Sequence, residues 1–202
     1  MSKSPRILVF VGGICKDSIN KKLFGFFKEA AGETLEFDEF EIKSLPFFSQ
    51  DIEDNPPSEV VDLKARIKAC SGVLLITPEY NRSFPGVLKN ALDWGSRPYG
   101  QNLWSGKPAG LIGTSPGAIG AFGAQNQLRQ VLNFLDFRTM NQPEFYFTFP
   151  RELENGKLPH SANEFLKSHP RCQGITNRNE TYSDREAKNV YAGDKAAEID
   201  AA

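Results

Sequence analysis

The sequence predicts a doubly wound parallel α/β domain, and three observations carry that expectation. Short continuous apolar runs at Ile7-Leu8-Val9-Phe10-Val11, Gly72-Val73-Leu74-Leu75-Ile76 and Ala109-Gly110-Leu111-Ile112-Gly113-Thr114 have the length and composition of strands buried on both faces. Each run is followed by turn-forming residues and then by a segment whose apolar residues recur at helical spacing. The polar, glycine- and proline-containing stretches therefore fall at strand C-terminal ends, where open α/β sheets bind ligands.

The first run ends at Gly12-Gly13, a backbone able to turn sharply. A helix starts near Ser18: Ile19, Leu23, Phe26, Phe27 and Ala30 share a face, and Gly32 stops the pattern. Leu35, Phe37, Phe40 and Ile42 indicate an edge strand whose alternation slips between Asp38 and Glu39, the mark of a bulge. Residues 44 to 57 form a long proline-rich loop, and long loops tend to be functional. Val60, Leu63, Ile67 and Cys70 mark a second amphipathic helix leading into the strand at 72–76. Past Pro85, Leu88, Ala91 and Leu92 face a third helix to the sheet. Beyond the strand at 109–114, Ala121, Ala124, Leu128, Val131, Leu132 and Leu135 give a helix face wide enough for both the sheet and a partner subunit. Glu144-Phe145-Tyr146-Phe147 is the expected fifth strand, making five βα units with right-handed crossovers.

We divide the chain into a domain over residues 1–168 and a polar tail over 169–202. In that tail Ser183-Asp184-Arg185-Glu186 has the form of a capping box that starts a short exposed helix. Hydrophobic residues make up 40% and charged residues 24%, as in soluble globular proteins. A net charge of −1 with no basic stripe argues against nucleic acid or an anionic membrane as partner. The odd set Cys15, Cys70 and Cys172 has neither disulfide-framework nor zinc spacing, and no run reaches membrane-spanning length. The expected setting is cytoplasmic. His160 and His169 stand apart from any triad or metal pattern.

One stretch is far more restrictive than its turn residues require. Thr77-Pro78-Glu79-Tyr80-Asn81, then Ser83, Pro85-Gly86, Leu88-Lys89-Asn90, Asp93-Trp94 and Ser96-Arg97-Pro98 form a pattern of over a dozen positions. A generic strand-loop-helix junction accounts for Pro78, Asn81, Pro85 and Gly86 but not for Glu79-Tyr80 or Asp93-Trp94. The pattern resembles the NADPH-dependent FMN reductase family, flavodoxin-like flavoproteins that include quinone, azo-dye and chromate reductases. The resemblance spans residues 5 to 168. It implies a flavodoxin-like five-stranded sheet in the order 2-1-3-4-5, with FMN at the switch point between the first and third strands.

The resemblance implies roles for three loops. The first would hold the flavin phosphate: Ser18 and Asn20 add hydrogen bonds, Lys16 adds charge, and the helix N-terminus favours an anion. Read alone, Ser18 is a helix N-cap and Lys16 a solvated charge. The family carries a serine and an arginine where this chain has Gly13 and Cys15, so weaker phosphate retention is expected. The second loop would hold the isoalloxazine: Pro78 sets the turn, the amides of Glu79, Tyr80 and Asn81 meet the ring's polar edge, and Tyr80 offers an aromatic surface. Without the resemblance Tyr80 is a half-buried packing residue. In the third loop Gly117 and Gly120 allow close approach to a flat ring, and Ser115 donates to a ring oxygen. Arg97 is assigned to a phosphate or the nicotinamide. Asp93 and Trp94 are partly structural, and Cys15 is a small thiol near a helix start.

The implied activity is an FMN-dependent NAD(P)H oxidoreductase, with NADPH or NADH as co-substrate. Hydride passes from the nicotinamide to FMN, and electrons then pass to a small-molecule acceptor (a quinone, azo compound, flavin or oxyanion) in a ping-pong scheme. No side chain is assigned as catalytic, and none as a metal ligand. A homodimer or homotetramer is expected. The alternative is a flavin-binding electron carrier or regulatory protein without useful NAD(P)H oxidation.

Overall fold

The computed structural model describes residues 4–141, 144–149 and 157–160. The elements, in chain order, are β1 (Arg6–Val11), α1 (Ile19–Ala31), β2 (Glu36–Glu39), α2 (Ser58–Ala69), β3 (Gly72–Thr77), α3 (Gly86–Gly95), β4 (Pro108–Ser115), α4 (Phe122–Phe134), β5 (Arg138–Thr139) and β6 (Tyr146–Thr148). All strand pairings are parallel, in the order β2-β1-β3-β4-β5, with β6 also paired to β4. This is the expected flavodoxin-like doubly wound sheet.

The apolar runs become central strands because both their faces are covered. Leu8, Phe10, Val73, Leu75, Ala109 and Leu111 point to a core shared with α2, α3 and α4. Ile7, Val9, Val11, Leu74, Ile76 and Ile112 point to a second core against α1, together with Phe145, Phe147 and Phe149. Helix α1 has the predicted ends. Ser18 is its N-cap, accepting from Lys21 N–H at 3.3 Å, and Gly32 closes it at φ 57°, a conformation that favours glycine.

Two expectations are corrected. The edge strand has no bulge: β2 pairs with β1 in unbroken register from Arg6↔Glu36 to Val9↔Glu39. Its polar letters are ion-paired instead, Glu36 with Arg6 at 3.0 Å and Asp38 with Arg66 at 2.6 Å. The fifth sheet position is filled not by one strand over 144–147 but by two short segments. Arg138–Thr139 pairs with the start of β4, and Tyr146–Thr148 pairs with its end. The left-handed Asp136 (φ 60°) turns the chain into the first of these. The tail over 169–202, its capping box, His169 and Cys172 lie outside the described residues. Among the described residues no helix is long and apolar enough to cross a membrane.

Candidate functional site

Val11, Thr77 and Ser115 end β1, β3 and β4 along one edge of the sheet, since Val11 pairs with Ile76 and Thr77 with Gly113. The first of the three loops that leave this edge touches the second, and the second reaches α4, the helix that follows the third. Gly12 donates its N–H to Ile76 O at 2.8 Å, and a Cβ there would lie 3.0 Å from Pro85 Cγ and 3.1 Å from Pro78 Cδ. Glycine at this position lets the first and second loops touch.

The first loop exposes Ile14, Cys15, Lys16 and Asp17 before Ser18 starts α1. A Cβ at Gly13 would collide with Ser18 Oγ, so the bend here leaves no room for a side chain without moving the cap. Ser18 accepts through its oxygen and keeps its hydroxyl hydrogen for another partner. The N–H groups of the first turn of α1 have no acceptor within the helix. Asn20 sits deeper than expected. It is 1% exposed, its Nδ2 faces Thr114 O at 3.4 Å, and its Oδ1 is buried without a hydrogen-bond partner. It therefore joins the root of the first loop to the end of β4.

The second loop is a tight reversal. Tyr80 and Ser83 exchange both backbone hydrogen bonds, at 2.9 and 3.0 Å, and the central Asn81 and Arg82 both have positive φ, 51° and 66°. That is the signature of a type I′ turn; asparagine accommodates it well and arginine less so. The expectation that the amides of Glu79, Tyr80 and Asn81 all face a ring is thereby corrected, because the turn itself consumes the Tyr80 N–H. The Tyr80 side chain is 50% exposed. The Glu79 carboxylate accepts the Ala124 N–H at 3.2 Å and pairs with Arg82 at 3.1 Å.

In the third loop Ser115 Oγ donates to Gly117 O at 3.3 Å, and Thr148 Oγ1 donates to the same oxygen, also at 3.3 Å. Ser115 therefore shapes the loop. Gly117 is open, the nearest atom to a Cβ there being Ser115 Oγ at 3.6 Å. Gly120 is a glycine for another reason than ring approach. It has φ 53°, and a Cβ would lie 2.6 Å from Phe147 N and 2.7 Å from Tyr146 C, so it seats the loop on β6. Beside it Tyr146 packs edge-on against Phe122. Burial, and then the neighbouring Glu144 carboxylate, push the Tyr146 phenol up to about 12 against a lowering influence of Arg129.

Arg97 lies past the far end of α3, about 15 Å of helix from Pro85, with its guanidinium over the Phe48 ring at 5.2 Å. The structure does not bring it together with the three loops. The Asn90 and Trp94 of the signature stretch prove to be anchors: Asn90 Nδ2 and Trp94 Nε1 both donate to Pro46 O, at 2.9 and 2.8 Å. Sequence reasoning missed Asn90, although a polar residue among Leu88, Ala91 and Leu92 on the buried side of a helix was the available signal. It also missed Thr148 and the Glu79 carboxylate, whose partners are remote in the chain.

A flavodoxin-like sheet with three loops at the C-terminal edge of its central strands, the first and third bearing glycines, defines the class of flavin and nucleotide binders. The comparisons make this narrower. The family described as NADPH-dependent FMN reductase matches residues 5–151. A 2-hydroxy-1,4-benzoquinone reductase of a Burkholderia species is 50% identical over 141 residues, covering 70% of this chain and 77% of that protein. A quinone reductase of Pseudomonas putida is 44% identical over 171 residues, covering 83% and 92%. Among solved structures, the flavoenzyme NAD(P)H:(acceptor) oxidoreductase FerB of Paracoccus denitrificans superposes with a TM-score of 0.77 at 41% identity, covering 85% of this chain and 94% of that one. This chain belongs to the NADPH-dependent FMN reductase family, and it is an oxidoreductase that uses FMN and NAD(P)H.

The residues present fit the flavin. The first loop combines a bend with no room for a Cβ at Gly13, the unused Ser18 hydroxyl hydrogen, free helix-start amides and the exposed Lys16. That donor set suits a phosphate. Open space at Gly117 and the half-exposed Tyr80 suit a planar ring.

Proposed function

We propose that this protein transfers reducing equivalents from NAD(P)H to a quinone, with the two substrates using one exposed face of the site in turn. The observation that supports this reading most strongly is that three loops leave the same C-terminal edge of β1, β3 and β4, the first packed on the second through Gly12 against Pro78 and Pro85. The quinone is favoured because two relatives at 50% and 44% identity are named for quinone reduction.

Bound FMN would supply the chemistry, accepting hydride at one substrate's visit and releasing electrons at the next. The chain's part is to bind, orient and shield. Ser18 Oγ–H, the amides of Ile19 and Asn20 and the Lys16 ammonium would hold the phosphate, while buried Asn20 keeps the first loop against β4. Pro78 and the amides of Glu79 and Asn81 would meet the pyrimidine edge, where fixed dipoles favour the charge gained on reduction. Tyr80 would border the ring, and Gly117 would leave it room. Ser115 and Gly120 set the shape of the third loop. No side chain needs to move a proton. A cytoplasmic homo-oligomer belongs to the same proposal. The supporting feature is that each site loop or its adjoining helix carries an exposed large apolar residue: Ile14, Tyr80, Ile119 and Phe122.

The test is a visible spectrum of the protein with added FMN, followed by anaerobic NADPH and then a benzoquinone. A bound-flavin spectrum that bleaches with NADPH and returns with the quinone, with parallel double-reciprocal lines, is the expected result. A protein that stays colourless with FMN would sink the reading, and intersecting lines would overturn the alternating use of one face.

A further inference from the structure

Helix α4 begins without a cap of its own. The residue before it, Ala121, is left-handed at φ 66° and offers no side-chain acceptor, and the first turn contains no acidic residue. Thirteen residues of aligned peptide dipoles thus start at an N-terminus where the Phe122 N–H meets Ile119 O at 3.0 Å but no local side chain caps the turn. The missing group comes from the second loop. Glu79 is 45 residues away in sequence; its Oε2 accepts the Ala124 N–H at 3.2 Å, and its side chain is only 8% exposed.

Two more contacts join the same turn to the same helix. Arg82 O lies 3.2 Å from where a Cβ of Gly123 would be, so glycine admits the turn's backbone there. Ser83 Oγ donates to Gln127 Oε1 at 2.6 Å. Residues 123, 124 and 127 form one patch on the helix surface. The helix itself continues directly from the third loop through Gly120 and Ala121. The type I′ turn, with an arginine in a left-handed conformation, is a geometry that its surroundings must hold in place.

We propose that the Glu79 carboxylate is a positioning residue: by capping α4 across the site it locks the second and third loops into one rigid ring-binding frame. This rests on the flavin-binding reading above. Glu79 acts through Ala124, and it sets the spacing between the amides of the second loop and the open floor at Gly117. An acceptor oxygen at the right reach matters most, and the charge adds less, because dipole compensation is the smaller contribution.

The experiment compares wild type with Glu79→Gln, Glu79→Asp and Glu79→Ala. It reads amide hydrogen exchange at Ala124 in the flavin-free protein, the FMN dissociation constant, the FMN midpoint potential and competition by inorganic phosphate. Glutamine keeps the acceptor and should protect Ala124 and bind FMN within about threefold of wild type. Aspartate keeps the charge but is one methylene short; it and alanine should lose Ala124 protection, weaken FMN by about tenfold and shift the potential. Phosphate competition should stay unchanged throughout. If alanine does not fold, the aspartate variant carries the comparison. An unprotected Ala124 amide in wild type, or wild-type affinity and potential in both the aspartate and alanine variants, would overturn the proposal. Failure of wild type to bind FMN would instead sink the flavin reading, while the exchange data would still decide whether the cap exists.

Discussion

Asn90 and Phe48 are joined across 42 residues, the Asn90 Oδ1 accepting the Phe48 N–H at 2.8 Å while its Nδ2 donates to Pro46 O. With Trp94 donating to the same Pro46 oxygen and its ring edge-on to Phe48 at 5.0 Å, the long loop before α2 is fastened to α3. Part of the signature stretch therefore serves attachment. Asn90→Ala strands the Phe48 amide and should cost about 2–3 kcal/mol, and Trp94→Phe, which loses the donor to Pro46 O and leaves a cavity at a fully buried site, should cost at least as much. Urea unfolding of the two variants checks the order; equal stability of Asn90→Ala and wild type would remove the anchor.

Gly120 and Gly117 should respond oppositely to alanine. At Gly120 the positive φ adds to a collision with the β6 backbone, so Gly120→Ala should lower stability by about 2 kcal/mol or more. Gly117 has room for a methyl group, so Gly117→Ala should stay within about 0.5 kcal/mol of wild type in stability. It should nonetheless weaken FMN binding, because the methyl would enter the ring's space. Thermal melts with and without FMN separate the two effects.

The sheet was legible because its signals are local. Five apolar letters in a row, Ser18 before a helical stripe and Gly32 after it are each read within a few residues, and they gave β1, β3, β4 and the ends of α1. A strand of two residues such as Arg138–Thr139 has no periodicity to read. The slip at Asp38 looked like a bulge because its cause, Arg66, is 28 residues away. The site divided in the same way. Ser18 as a helix cap and Pro78 as a turn residue were readable locally, their site roles came only with the family resemblance, and the contacts of Glu79, Asn20 and Gly120 depend on Ala124, Thr114 and β6. Such pairings exist only once the chain is folded.

Tyr146 makes stability fall at high pH. Its phenol rises from 10 to about 12 in the folded state, chiefly through burial and then through Glu144. A raised value means that the native state holds the proton more tightly, so the contribution is fully present below pH 10 and is lost as the pH climbs from 10 through about 12. Tyr146→Phe should flatten the decline over that window. Urea midpoints from pH 8 upward test it, and identical slopes for variant and wild type would show that the phenol titrates alike in both states.

On the proposed reading, Lys16 and the residue at position 15 would tune how firmly the first loop holds a phosphate. Lys16 is exposed, so its attraction is screened and small, worth roughly 0.5–1 kcal/mol at low ionic strength. Lys16→Ala should then weaken FMN by about three- to fivefold at low salt, with the difference fading near molar salt and riboflavin, which lacks the phosphate, unaffected. Cys15 is exposed on the same loop, where the family resemblance places an arginine. Cys15→Arg should tighten FMN but not riboflavin, because a guanidinium can meet two phosphate oxygens at once. Fluorescence titration with both flavins makes the comparison. If Lys16→Ala weakens riboflavin as much as FMN, the lysine supports the ring or the fold, and the phosphate must be held by the amides and Ser18 alone.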